Sequence, residues 1–149
     1  MTDRTTHDNS LGALVVTHGT LARELTLAAE KIVGHARGLV AVCIDWDEDV
    51  GVARRAIEDT LSALGEINGV IIFTDMFGGT PTNISLTFLD PARVEIVTGV
   101  NLPMVVKFLN LRDETDVAVA ASRLAEKGQQ SIQTASGILH VHTAGRGDV

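Results

Sequence analysis

Residues 11–16 (LGALVV) form a short, nearly continuous apolar run. Such runs suit a strand buried on both faces of a parallel sheet. Thr17-His18-Gly19-Thr20 then reads as a turn. Over residues 21–33, apolar side chains recur at Leu21, Leu25, Ala28, Ala29, Ile32 and Val33. That is the spacing of a helix with one face on a core, and Gly34 supplies a stop. The unit repeats along the chain. A strand is expected over 39–44 and a helix over 50–64. A third strand covers 69–74, followed by a glycine-rich connection over 75–83 into a helix that reaches Leu89 and breaks at Asp90-Pro91. A fourth strand covers 93–98. A helix over 102–111 has Pro103 in its first turn, where proline is tolerated. A last helix, 115–127, ends at Gly128.

Strands alternating with helices predict an α/β fold built on an open parallel sheet with right-handed crossovers. Residues 129–135 read as one more strand, polar and without a crossover of its own, at an edge. Residues 1–10 read as a disordered leader and residues 136–149 as a loose tail, leaving one domain over 11–135. A chain of 149 residues is long enough to bury roughly 68–70% of its unfolded surface without disulfide or metal.

Composition narrows the picture. Apolar residues make up 45% of the chain, but it has only four Phe, one Trp and no Tyr, so the core is aliphatic. The single cysteine, Cys43, lies in the apolar run of the second strand and reads as a buried structural thiol. The formal charge is −7, from 12 basic and 19 acidic residues. That argues against nucleic acid, which is held through Lys and Arg contacts to phosphate. The polar N-terminus has no apolar signal core, and no apolar run nears the ~20 residues of a membrane span. The expectation is a cytoplasmic protein without membrane insertion.

Candidate chemistry follows from the fold class. In open α/β sheets, ligands bind beyond the carboxyl ends of the strands, at a switch in strand order. The loop after the first strand holds Thr17, His18 and Gly19. The loop after the third runs from Asp75 through Gly78, Gly79 and Thr80 to Asn83. The loop after the fourth holds Gly99, Val100 and Asn101. If the first and third strands are neighbours, His18 and Asp75 face each other. A neutral imidazole is a nucleophile near neutral pH. A carboxylate on one ring nitrogen fixes the tautomer and stabilises the positive ring formed on attack. Gly78-Gly79-Thr80-Pro81 lets amides approach an anion at a helix start. Thr80 can add a hydroxyl and cap that helix, with Pro81 at the first helical position. These parts together describe phosphoryl transfer, although each also has a plain structural use: a surface histidine, a cap, a tight turn.

At these residues the chain resembles the mannose family of enzyme IIA, from the bacterial phosphoenolpyruvate-dependent sugar phosphotransferase system. The carrying motifs are Thr17-His18-Gly19, TDMFGGTPTN over 74–83 and GVNLPM over 99–104. The resemblance covers about residues 11–135. It implies that phospho-HPr phosphorylates His18 on the ring nitrogen farther from the backbone, and that Asp75 hydrogen-bonds the ring. It implies that Gly79 and Thr80, with Gly78, hold the phosphoryl group, with Thr17, Gly19 and Asn101 in support. Enzyme IIB is the implied acceptor, for sugar uptake. The implied fold is a parallel sheet of order 2-1-3-4, completed by an antiparallel strand exchanged between the subunits of a homodimer; residues 129–135 fall where that strand belongs. No cofactor and no metal is implied.

The chain departs from many relatives in carrying Met76-Phe77 where they have an aromatic-rich or Trp-containing loop, and it is expected to be free-standing where many are fused to IIB. Two alternatives therefore stand beside transport: a regulatory phosphoprotein that binds a target protein, and the phosphotransfer subunit of a dihydroxyacetone kinase. A nucleotide-binding module on a flavodoxin-like sheet is a third, without a P-loop to support it. Other titratable residues are set aside. His7 lies in the leader and His35 follows the first helix. His140 and His142, two apart, would share a face of a strand, but two ligands do not make a metal site. Asp45, Asp47, Glu48 and Asp49 read as a solvated acidic loop that complements the next helix dipole.

Overall fold

β1 (Asp8–His18) organises the molecule because it is paired on both sides. It runs parallel to β2 (Leu39–Ile44) on one flank and to β3 (Ile67–Thr74) on the other. β4 (Val94–Thr98) extends the sheet beyond β3, giving the order β2-β1-β3-β4. The structure, a computed structural model, describes residues 8–144.

Alternation along β1 sorts its side chains onto two cores. Leu11, Ala13 and Val15 face α1 (Leu21–Val33), α4 (Leu102–Leu109) and α5 (Val117–Gln130), meeting Ala22, Ala29, Val105, Phe108 and Leu124. Leu14 and Val16 face α2 (Val50–Ala63) and α3 (Thr80–Leu86), meeting Ala53, Ile57 and Ile84. A strand covered on both faces needs apolar residues at every position, which is why residues 11–16 read as a continuous run. β3 repeats the scheme, with Ile71 and Phe73 on the first face and Val70 and Ile72 on the second. The ring of Phe73 meets Phe108 edge-on at 6.3 Å between centroids.

The expected element order and the 2-1-3-4 sheet are present; the ends of the chain differ. β1 starts at Asp8, inside the stretch read as a leader, with an irregular register before Leu11. Tertiary bonds draw it in: Asn68 donates to the Asn9 carbonyl (2.7 Å), and Arg112 donates to the Leu11 carbonyl and the Ser10 hydroxyl. The rest of that leader, residues 1–7, lies outside the described residues.

The expected antiparallel strand over 129–135 does not form. Asp116 caps α5, accepting from the Ala118 and Val119 amides, and the helix continues through Gly128 to Gln130. Gly128 is no stop: a Cβ there would collide with the Met104 side chain, so the glycine permits α5 to pack closely on α4. After Ser131 the chain turns into α6 (Ala135–Ala144), which takes up the first part of the stretch 136–149 read as a loose tail; residues 145–149 lie outside the described residues. Among the described residues the sheet has four strands, and Ile132, Ile138, Leu139 and Val141 are exposed. Cys43 is only half-buried, not enclosed as expected.

Candidate active site

The chain leaves β1 toward β2 on one side and later returns to place β3 on the other. The carboxyl ends of β1 and β3 therefore flank the topological switch point, where a crevice opens in such sheets. Their register sets Val16 opposite Thr74. His18 is the last residue of β1, and Asp75 immediately follows β3.

The two side chains meet. His18 Nδ1 lies 2.7 Å from Asp75 Oδ2, and the His18 backbone N–H donates to the same oxygen at 3.0 Å. The other carboxylate oxygen accepts from the Met76 amide at 3.0 Å. Toward an ionised carboxylate, which can only accept, Nδ1 is the donor, and a neutral ring then has its lone pair on Nε2. Both side chains are largely covered, at 17% and 14% exposure.

Three glycines shape the surroundings. Gly19 has φ +55°, the left-handed backbone that turns the chain immediately after His18, and its amide donates to the Ile44 carbonyl at 2.8 Å. Gly78 turns with φ +87° into open space. Gly79 has ordinary extended backbone and is the N-cap of α3. Its constraint is proximity, because a Cβ would stand 2.7 Å from His18 Cε1 and 3.2 Å from Nε2. The start of α3, whose first amides have no intrahelical acceptor, is thus beside the free ring nitrogen.

A buried hydroxyl pair braces the loop between β3 and α3. Thr82 Oγ1 donates to the Met76 carbonyl at 2.6 Å, and Thr74 Oγ1 lies 2.7 Å from Thr82 Oγ1. A hydroxyl has one proton to give, so Thr74 is the donor of that second bond. Thr17, buried on the opposite face from His18, accepts from the Ala22 amide at 2.7 Å and starts α1.

Some expected roles change. Thr80 does not cap α3: Gly79 occupies the cap position without a side chain, Thr80 is the first helical residue with its side chain exposed, and Pro81 follows it. Asn101 is engaged structurally, capping α4 through the Met104 amide (3.2 Å) and donating to the Gly128 carbonyl (3.1 Å). His140 and His142 lie on a helix, not a strand, where a spacing of two points them to different sides. In the acidic loop, Asp49 caps α2 by accepting from the Gly51 and Val52 amides.

One residue at the site was not among those singled out. Trp46, in the loop after β2, stacks on the His18 ring with centroids 4.8 Å apart and planes 19° from parallel. The rule that points to loops after strands applies to this loop as well; its acidic neighbours drew the reading toward solvent.

An open parallel sheet with a carboxylate-held histidine at its switch point is an arrangement suited to a covalent group carrier. The chain belongs to the PTS system fructose IIA component family, whose model matches residues 12–125. It is 28% identical over 127 residues to the fructose-specific EIIA component of Bacillus subtilis, covering 85% of this chain and 87% of that protein. It is 28% identical over 106 residues to the mannose-specific EIIAB component of Escherichia coli, covering 70% of this chain but 33% of that longer protein. Among solved structures it resembles the PTS IIA protein associated with the fucose utilization operon from Streptococcus pneumoniae, with a TM-score of 0.80 and 25% identity over 90% of this chain and 99% of that one. The mannose/sorbose-specific IIA subunit from Enterococcus faecalis shares the fold, with a TM-score of 0.74 and 22% identity over 83% and 92%.

The expected membership of the mannose-family IIA proteins is met. The chain is accordingly a phosphocarrier of the sugar phosphotransferase system, the component that passes phosphate to enzyme IIB. These matches do not favour the regulatory, dihydroxyacetone kinase or nucleotide-binding readings. No helix among the described residues is long and apolar enough to cross a membrane.

Proposed function

We propose that His18 is the residue that carries the phosphoryl group, on Nε2, taking it from phospho-HPr and passing it to enzyme IIB. The observation that carries this reading is the 2.7 Å contact between His18 Nδ1 and Asp75 Oδ2, which leaves Nε2 as the nucleophile. In the transfer, the Nε2 lone pair forms the new N–P bond. The bond from phosphorus to the donor breaks, and its electron pair returns to the donor. The Nδ1 proton stays in its bond to Asp75, whose charge offsets that of the imidazolium. Gly78, Gly79 and Thr80 receive the phosphoryl oxygens at the start of α3, where unpaired amides favour an anion. Gly19 and Thr17 support by fixing the turn and the start of α1.

The acceptor needs no metal or cofactor in this scheme, because the phosphoryl group arrives already activated. The work takes place in the cytoplasm, where HPr and IIB would be met. The exposed apolar residues of α6 and the preceding turn support a homodimer formed through the C-terminal segment.

Incubation with phosphoenolpyruvate, enzyme I and HPr is expected to give an acid-labile, base-stable label on this chain. His18→Ala is expected to abolish it. Label that persists in that variant would reject the assignment.

A further inference from the structure

We infer that Trp46 is a positioning residue for His18, one that stacks on the imidazole and stabilises its positively charged, phosphorylated form; the inference rests on the assignment of His18 as phosphoryl acceptor.

The contact has the geometry of a true stack. A centroid distance of 4.8 Å and an angle of 19° fall in the range that aromatic pairs favour. Core packing does not explain it. Trp46 is 79% exposed, whereas the His18 side chain is only 17% exposed. The indole is held out in solvent while it covers the face of another ring. Its loop is tied to the histidine, since the Ile44 carbonyl at the end of β2 accepts from the Gly19 amide at 2.8 Å. The indole Nε1 also passes within ordinary contact range of the space beside the Gly19 Cα. His18 is therefore restrained on three sides. Asp75 holds Nδ1, Gly79 approaches the Cε1–Nε2 edge, and Trp46 covers a face. Nε2 keeps its lone pair in the ring plane, clear of the stack.

The chemistry gives this arrangement a direction. When Nε2 takes the phosphoryl group and Nδ1 keeps its proton, the ring becomes an imidazolium. The face of an indole is the negative part of its quadrupole and attracts a cation more strongly than a neutral ring. The stack therefore strengthens as charge develops and favours the phosphorylated state over the free one. Trp46 is also the only tryptophan of the chain, so its emission reports directly on the ring it touches.

The test uses the full chain with phosphoenolpyruvate, enzyme I and HPr, and compares the wild type with Trp46→Phe and Trp46→Leu. Two quantities are read: the partition of phosphate between HPr and this chain at equilibrium, and tryptophan emission. In the wild type, phosphorylation is expected to change the emission, and His18→Ala is expected to lose that change. Trp46→Leu is expected to shift the partition toward HPr by roughly 2- to 30-fold, the span of a cation–π contact. Trp46→Phe, which keeps an aromatic face, is expected to restore most of it.

A partner-docking role makes a different prediction. Contacts made only within the complex alter rates in both directions and leave the partition unchanged. A slower transfer with an unchanged partition in Trp46→Leu would overturn the inference, as would a Phe variant no better than Leu. Label that is absent from the wild type or persists in His18→Ala would overturn the His18 assignment itself, and this inference with it. Label that depends on His18 but is indifferent to residue 46 would remove this inference alone.

Discussion

Gly79 approaches the His18 ring so closely that a single methyl group on its Cα would stand 2.7 Å from Cε1 and 3.2 Å from Nε2. Its φ of −87° is open to any residue, so the restriction is one of space alone. Gly79→Ala is expected to keep the fold and to displace the imidazole. A misplacement near 1 Å costs about 100-fold in rate. Rapid-quench phosphotransfer from phospho-HPr, with circular dichroism as the control for folding, reads both quantities. A variant that transfers at the wild-type rate would show that the ring does not need this position.

Asp75 accepts from both the His18 ring and the His18 backbone. In Asp75→Asn the amide can still accept from Nδ1, but it brings no charge to balance the imidazolium and can present NH2 to the ring instead. The expected loss in transfer rate is roughly 10²- to 10⁴-fold, the range found when an orienting acid or a stabilising donor is removed. Label should still appear on His18 at long times. Loss under 10-fold would demote Asp75 to a purely structural partner.

Thr82 joins β3 to its loop through one buried and one partly buried hydrogen bond. Thr82→Val conserves shape and removes the hydroxyl, leaving the Thr74 proton and the Met76 carbonyl without this partner. A stability loss of about 1–3 kcal/mol is expected, seen as a Tm lower by several degrees. The variant should also transfer more slowly, because Met76 N–H holds the Asp75 carboxylate. Thermal melts and the transfer assay test the two effects separately.

Helix α6 exposes Ile138, Leu139 and Val141, and the turn before it exposes Ile132. Truncation after Thr134 is expected to leave His18 labelling intact and to shift the chain from dimer to monomer in sedimentation velocity. A truncated chain that still sediments as a dimer would place the subunit contact elsewhere.

Much of the site was legible before any coordinate. His18, Asp75, Gly78 and Gly79 are polar or flexible residues at the ends of apolar runs, where hydrophobic patterning stops dictating identity and chemistry can. The two-faced burial of β1 and β3 was legible for the same reason, since a period-free apolar run of six residues suits a strand covered on both sides. The C-terminal segment was misread because its signal was ambiguous. Gly128 looks like a helix stop, and only contact with Met104 reveals it as a point of close helix packing. Polar residues 129–135 carry no period that separates an edge strand from a helix end and a turn. Trp46 was passed over because neighbouring carboxylates suggested solvent, and nothing in a linear pattern marks a ring that reaches back over another strand.

By itself the sequence determined the alternation of strands and helices, their order in the sheet through the family motifs, and the residue types at the strand ends. Those follow from local spacing and from chemistry carried by short contiguous stretches. The tertiary structure decided which atoms meet. His18 and Asp75 are 57 positions apart, and their bond exists because parallel pairing brings the ends of β1 and β3 level. The free nitrogen on His18, the glycine against its edge and the indole on its face all depend on that register. Register is a property of strands brought together, so no single strand's sequence contains it.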